Sequence, residues 1–277
     1  MPEGDTLARI ATVLRPILAG RRITSARARF GGPRLDLVIG STCSAVEARG
    51  KHLLIGFDNG LTLHTHLGLH GSWHRYRTGE PWRRSAARAV AILDTADATA
   101  VCFDAPTVEL LETRALAAHP VLRRLGTDVA TGEFDVDAAL AALREPRRAA
   151  MAIGDALIDQ SVLAGLGNVY RSELPFIERV NPFAPVRGVS EVKLRAMVQR
   201  GAVLVKQNSA GGARVTTSAG TPGNLHVYGR TGRPCPRCAT RIVSAATRAH
   251  PGASPRRAYW CPSCQRAPES RQELADL

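Results

Sequence analysis

Apolar residues recur at three- and four-residue spacing through Leu7, Ile10, Val13-Leu14 and Ile17-Leu18. That spacing predicts an amphipathic helix, with Asp5-Thr6 as its N-terminal cap and Gly20 where a C-terminal cap falls. From Ile23 to Phe103 the period shortens to alternating runs. Leu53–Phe57 and Leu61–His66 flank Asp58-Asn59-Gly60, and Asn-Gly between two such runs predicts a tight hairpin. Val90–Leu93 and Ala98–Phe103 predict a second strand pair. Beyond residue 130 the helical period returns, first in Val136, Leu140 and Leu143, then in Ile153, Leu157, Ile158 and Val162. Ser190-Glu191 can cap a helix whose stripe includes Leu194, Val198 and Val203. Glu145-Pro146-Arg147-Arg148 reads as a helix junction. Residues 209–224 hold four glycines without periodicity and predict a mobile loop. The fold class is therefore α+β, with a mostly β domain over 1–130, a helical domain over 131–225, a cysteine-bearing segment over 226–270 and a tail over 271–277.

Composition narrows the function. The 277 residues leave room for two ordinary domains, and 44% apolar residues suffice for real cores. No apolar run reaches the roughly 18 residues of a membrane span. Met1-Pro2-Glu3-Gly4-Asp5 lacks the cationic and apolar regions of a secretory signal. Lysine and arginine total 37 against 24 acids, a net charge of +13. GC-rich coding explains a preference for arginine over lysine, but not the net excess. That excess favours a polyanionic partner, with nucleic acid foremost.

Cys235-Pro-Arg-Cys238 and Cys261-Pro-Ser-Cys264 are separated by 22 residues. Two such knuckles match a four-thiolate zinc ribbon, in which a closed shell makes the zinc structural. Two redox pairs or two disulfides are the alternative. Ile242-Val243 and Tyr259-Trp260 read as the hairpin strands between the knuckles, and His250 is a competing ligand. Cys43 and Cys102 lie in apolar stretches and read as inert core thiols. Zinc-bound thiolates suit a cytosolic protein.

Met1-Pro2-Glu3-Gly4, Arg49-Gly50-Lys51-His52-Leu53, His66-Leu67-Gly68-Leu69-His70-Gly71, Gly165-Leu166-Gly167-Asn168-Val169-Tyr170 and the terminal cysteine knuckles stand in one order along the chain. In this the sequence resembles the formamidopyrimidine-DNA glycosylase / endonuclease VIII family of base-excision repair enzymes. The resemblance implies an N-terminal β-sandwich, a helix–two-turns–helix DNA-binding segment and a zinc ribbon. It implies a bacterial cytosolic monomer acting on double-stranded DNA with damaged bases or abasic sites.

Physical chemistry gives Pro2 its meaning. If Met1 is removed, Pro2 carries a terminal secondary amine. An α-amino group titrates near 7.7–8.0, so roughly a tenth is nucleophilic at neutral pH. Attack at C1′ of the deoxyribose expels the base and leaves an iminium ion. That cation acidifies the C2′ protons, so β-elimination can release the 3′ phosphate, and a second elimination the 5′ phosphate. By itself Pro2 could merely start the chain. Glu3 beside it supplies the general acid/base that ring opening needs. The family often has an acid where this chain has Thr6.

By resemblance Lys51 binds the phosphate flanking the lesion and aids β-elimination. Arg256 grips that phosphate, with Arg257 sharing the work, and the longer span around residues 250–255 leaves the register between them open. Arg124 and Asn168 match backbone-contacting positions, whereas Tyr170 and Glu173 read as structural. Such enzymes flip the nucleotide and fill the gap with side chains. Leu69 and His70 hold the matching void-filling position, although Leu69 also reads as a core leucine. His66 can help position the active-site loop.

Phe103-Asp-Ala-Pro-Thr-Val108 lacks the Arg-Phe wedge of the formamidopyrimidine branch. That leans toward endonuclease VIII and oxidised pyrimidines, while the His-Leu-Gly-Leu run leaves formamidopyrimidine or oxidised-guanine specificity as an alternative. A noncatalytic damaged-DNA-binding protein on the same scaffold is the second hypothesis. A zinc-ribbon transcription or RNA-processing factor is the third, against which the N-terminal half argues.

Overall fold

The structure is a computed structural model that describes residues 2–130, 134–218, 221, 223–247 and 255–267. Met1, His250 with its neighbours, and the tail lie outside the described residues. The chain divides into two units between Arg124 and Leu125.

The first unit opens with helix α1 (Gly4–Leu18). Its cap is Glu3, in extended backbone, rather than Asp5-Thr6, and Glu3 makes no side-chain cap bond. Asp5 lies inside the first turn, where a carboxylate complements the helix dipole. Eight strands follow: β1 (Ser25–Ala28), β2 (Cys43–Arg49), β3 (His52–Phe57), β4 (Leu61–His66), β5 (Ser72–Arg77), β6 (Ala89–Asp94), β7 (Ala98–Phe103) and β8 (Thr107–Glu112). They form two antiparallel sheets, in the orders β1-β6-β7-β5 and β2-β3-β4-β8. Both hairpins predicted from the sequence are present, with register Ile55↔Leu63 in one and Ile92↔Val101 in the other. Leu7, Leu14 and Leu18 of α1 join Val46, Leu53, Ile55, Leu63 and Leu93 in one buried cluster. The resulting β-sandwich is closed by its leading helix. Cys43 and Cys102 are fully buried in it. Burial pushes the Cys43 thiol up to about 11 and raises Cys102 as well, as expected of inert thiols.

The second unit contains β9 (Thr127–Asp128), α2 (Val136–Arg144), α3 (Ile153–Leu157), β10 (Leu163–Ala164), α4 (Asn168–Ile177), α5 (Glu191–Ser209), β11 (Val243–Thr247) and β12 (Arg256–Trp260). Asp135 caps α2, accepting a hydrogen bond from the Ala138 N–H at 2.9 Å. Ser190 stands at the N-cap of α5, but its side chain makes no cap bond. The buried stripe of α5 runs through Leu194, Met197, Val198, Leu204 and Val205, while Val203 faces solvent, contrary to the sequence expectation. These residues pack with Leu140, Leu143, Leu157, Leu166 and Tyr170 in the core of this unit. β11 and β12 pair antiparallel, as the ribbon reading requires.

Candidate active site and metal centre

Pro2 is half-buried and Glu3 fully buried at the start of α1. Glu3 makes contacts through its other atoms, whereas its Oε2 accepts no hydrogen bond among the described residues. Lys51 occupies a two-residue turn with Gly50, since Arg49 pairs with His52 across it. Gly50 has φ 57°, the left-handed value such a tight hairpin asks of its first central residue.

The direction of α1 relates these groups. The Gly20 N–H donates to the Cys43 carbonyl, and Arg15 Nη2 to the Val46 carbonyl. Four further residues of strand span about 13 Å, as do about nine residues of helix. The N-terminal turn of α1 and the Gly50–Lys51 turn therefore lie at the same end of the sheet.

At that end β4 runs into the turn Leu67–His70, closed by a Gly71 N–H to Leu67 carbonyl bond of 2.8 Å. Leu69 is 62% exposed there, so the core-leucine reading is wrong, and His70 is exposed beside it. Gly68 has φ 57°, and a Cβ on it would stand 2.9 Å from Pro106 Cγ. Only glycine fits, because the turn rests on the loop that replaces the wedge. Asp104 in that loop is bonded by Arg84 at 3.0 Å and Arg88 at 2.7 Å. The Arg88 hydrogen bond, then Arg84, holds its carboxyl below the usual range. Sequence reading missed this brace, since its partners are 16 and 20 residues apart. Arg124 lies exposed at the end of a short 3-10 turn (Leu122–Arg124).

The second unit gathers Asn168, Arg256 and Arg257. Asn168 opens α4 and is only 7% exposed, with Nδ2 donating to the Arg257 carbonyl at 2.9 Å. Its Oδ1 is buried with no partner among the described residues. One amide hydrogen is thus committed to β12. Arg171 Nη1 donates to the Arg256 carbonyl at 3.3 Å, and Arg171 pairs with Asp155 at 2.6 Å while only 1% exposed. Burial lowers the Arg171 pKa and raises that of Asp155, the cost of placing this ion pair indoors. Both Arg256 and Arg257 side chains are exposed, the latter donating to Ser244 Oγ at 2.9 Å.

Glu173 proves more than an ordinary helix residue. Fully buried, it accepts from Thr216 Oγ1 at 2.5 Å and from the N–H groups of His226, Val227 and Tyr228 at 2.9, 2.8 and 2.8 Å. Asn208 exchanges two further bonds with the Val215 backbone. The described part of the segment predicted to be mobile is therefore anchored.

The four cysteines of the ribbon converge. Sulfur separations are 3.4 Å for Cys238–Cys264, 3.5 Å for Cys238–Cys261 and 3.9 Å for Cys235–Cys264. A tetrahedron with metal–sulfur bonds near 2.3 Å has edges of about 3.8 Å, so the donor set fits a metal ion. The Arg237 N–H points at Cys235 Sγ, and Gln265 Oε1 accepts from the Cys261 N–H, bonds that hold both knuckles in shape. His250, the competing ligand, lies outside the described residues.

The formamidopyrimidine-DNA glycosylase N-terminal domain matches residues 1–107, and the formamidopyrimidine-DNA glycosylase H2TH domain matches residues 125–218. Probable endonuclease 8 2 of Streptomyces coelicolor is 40% identical over 276 residues, which cover 98% of this chain and 96% of that relative. Endonuclease 8 of Escherichia coli is 32% identical over 271 residues, 96% of this chain and 100% of its own. Lactococcus lactis Fpg, solved in complex with DNA containing N7-benzyl-Fapy-dG, shares the fold with a TM-score of 0.78 at 22% identity, covering 96% of this chain and all of that one. The class is thus that of base-excision DNA glycosylases that are also abasic-site lyases. This chain belongs to the formamidopyrimidine-DNA glycosylase / endonuclease VIII family, on the endonuclease VIII side toward which its sequence leans.

Proposed function

We propose that the chain excises oxidised bases, pyrimidines foremost, from double-stranded DNA and cuts the strand through a covalent bond to Pro2. The observation that carries this is a buried carboxylate, Glu3, beside the residue that becomes the terminal amine once Met1 is removed. The Pro2 nitrogen lone pair forms the bond to C1′ as the C1′–base bond breaks, and the proton lost from the Pro2 nitrogen goes to the departing base; Glu3 then gives a proton to the sugar ring oxygen as the C1′–O4′ bond opens. The ring-opened product is an iminium ion. Loss of a C2′ proton then expels the 3′ phosphate, and a second elimination expels the 5′ phosphate. Hydrolysis of the N–C1′ bond returns the free amine.

Lys51 and Arg256 neutralise the phosphates that flank or leave the site. Arg124, Asn168 and Arg257 hold the backbone, and Leu69 with His70 fills the space of the flipped nucleotide. The exposure of Leu69 supports that role, because an apolar side chain held in water gains by entering a base stack. Oxidised pyrimidines are favoured because no arginine stands in Phe103–Val108, and because the relatives above carry the name endonuclease 8. Cys235, Cys238, Cys261 and Cys264 hold one zinc ion that shapes the ribbon and takes no part in the reaction. The chain works as a monomer in the cytosol of a bacterial cell, and among its described residues no helix is long and apolar enough to cross a membrane.

Borohydride trapping on duplexes carrying single defined lesions tests the reading. The wild type gives a covalent adduct whose peptide maps to Pro2, and Pro2→Gly loses most of it. No adduct, or equal trapping by Pro2→Gly, overturns the mechanism and leaves a DNA-binding protein. Faster release of oxidised purines than of oxidised pyrimidines overturns the base preference alone.

A further inference from the structure

One cluster of ionisable side chains plays no part in the reaction above. His52, His64 and Glu109 stand on adjacent strands β3, β4 and β8, and His119 follows β8 in the chain. His52 Nδ1 lies 2.8 Å from His64 Nε2, and His64 Nδ1 lies 2.9 Å from Glu109 Oε2. His119 Nε2 approaches the same oxygen at 3.2 Å.

Donor and acceptor roles follow by elimination. His119 Nδ1 accepts N–H bonds from Val121 and Leu122 at 3.3 and 3.2 Å, so its proton is on Nε2 and points at Glu109. An ionised carboxylate only accepts, so His64 carries its proton on Nδ1 and accepts at Nε2. His52 must then donate from Nδ1. Each ring is held in one neutral tautomer, and the three bonds all point toward the carboxylate. A metal ion on Glu109, His64 and His119 is disfavoured although their ligand atoms lie within 4.8 Å of one another. It would need the lone pair of His119 Nε2 and a proton on Nδ1, against two backbone N–H groups.

The inner end of the chain of bonds reaches the candidate active site. His52 follows Lys51 directly and pairs in register with His66, their rings 4.9 Å apart. His66 accepts the Gly68 N–H at Nδ1 and leads into the Leu69 turn. We propose that Glu109, His64 and His52 are positioning residues, whose ordered hydrogen bonds fix the facing ends of β3 and β4 and thereby set Lys51 and the Leu67–His70 turn for elimination. The proposal rests on the role given to Lys51 above. Neutral rings matter because a cation here would compete with Lys51 for phosphate. The groups facing His52 are His64, His66, His119 and Lys51, and burial followed by those neighbours pushes it down to about 3. Burial also lowers His64, against the raising effect of Glu109.

The test uses the full-length, metal-loaded protein and an abasic-site duplex. Nitrogen-15 imidazole spectra at neutral pH are expected to show His52 and His64 as Nδ1–H tautomers and His119 as Nε2–H. Any other tautomer at His64 overturns the proposal. Glu109→Gln replaces the charged acceptor shared by His64 and His119 with a neutral amide, and His64→Phe removes the middle link. Both are expected to slow single-turnover elimination about tenfold, with the duplex Kd changed by less than about twofold. The Glu109 side chain is 41% exposed, so Glu109→Gln carries the test should His64→Phe fail to fold. Elimination at the wild-type rate in Glu109→Gln, or a loss confined to Kd, overturns it. Lys51→Met separates the two readings. If that variant eliminates normally, the role of Lys51 falls and positioning falls with it. If it is inactive while Glu109→Gln is unimpaired, only the positioning proposal falls.

Discussion

Replacing Glu173 tests how the second unit is held together. Its carboxylate is the acceptor for three backbone N–H groups, from His226, Val227 and Tyr228, and for the Thr216 hydroxyl. A buried donor left without an acceptor costs about 1–3 kcal/mol. Glu173→Ala orphans three backbone donors, and the raw sum of about 3–9 kcal/mol is reduced by relaxation and water entry, so about 4 kcal/mol is expected. Glu173→Gln keeps an oxygen toward Val227 and Tyr228, and the Thr216 hydroxyl can rotate to accept. Only the His226 N–H then meets an amide group, and about 2 kcal/mol is expected. Urea titration gives the free energies, and hydrogen exchange locates them. Protection should fall first at the amides of residues 226–228. Losses below about 1 kcal/mol in both variants, with unchanged exchange at those three amides, would refute the accounting.

Three further outcomes are expected. The folded His52 pKa of about 3 lies below its ordinary 6.5, so the unfolded chain takes up the proton first. Stability is then complete above that ordinary value and falls as pH drops toward 3, by up to about 1.4 kcal/mol per pH unit, which melting between pH 7 and 5 checks; a flat curve, or one unaltered in His52→Leu, contradicts it. Chelation should release about one zinc per chain, lower the melting temperature and weaken DNA binding, because metal binding and folding of such ribbons are coupled; an unchanged melting curve tells against a structural metal. DNA affinity should fall with salt along a log–log slope of about −5, as roughly six phosphate contacts imply, and a flat titration would contradict the electrostatic reading.

Much of this was legible from residue order because its causes are local. The apolar period of Leu7 to Leu18 and the Asn59-Gly60 turn produce α1 and the β3–β4 hairpin whatever else folds nearby. The knuckles place two sulfurs each on a short tight turn. Where sequence reading failed, either the local pattern was misplaced by a few residues or a distant partner decided. Asp5-Thr6 looks like a cap, but the chain entering α1 already takes helical form at Gly4. Val203 is apolar but stands nine residues from Leu194, about half a turn round α5, and Leu204 and Val205 face the core instead. Residues 209–224 look unstructured until Glu173 and Asn208 supply the bonds that fasten Val215 and Thr216.

The sequence by itself determined the two-part organisation of secondary structure, the four-thiolate cluster and the pairing of a potential terminal amine with Glu3, since each needs only neighbours or a fixed short spacing. Only tertiary structure decided that Leu69 stands in solvent, that Lys51 shares a sheet end with the first turn of α1, and that three imidazoles, His52 through His64 and His119 directly, aim their hydrogen bonds at Glu109. Side chains 10 to 45 residues apart meet around Glu109. Their energies depend on burial and on which donor faces which acceptor, quantities that no local pattern encodes.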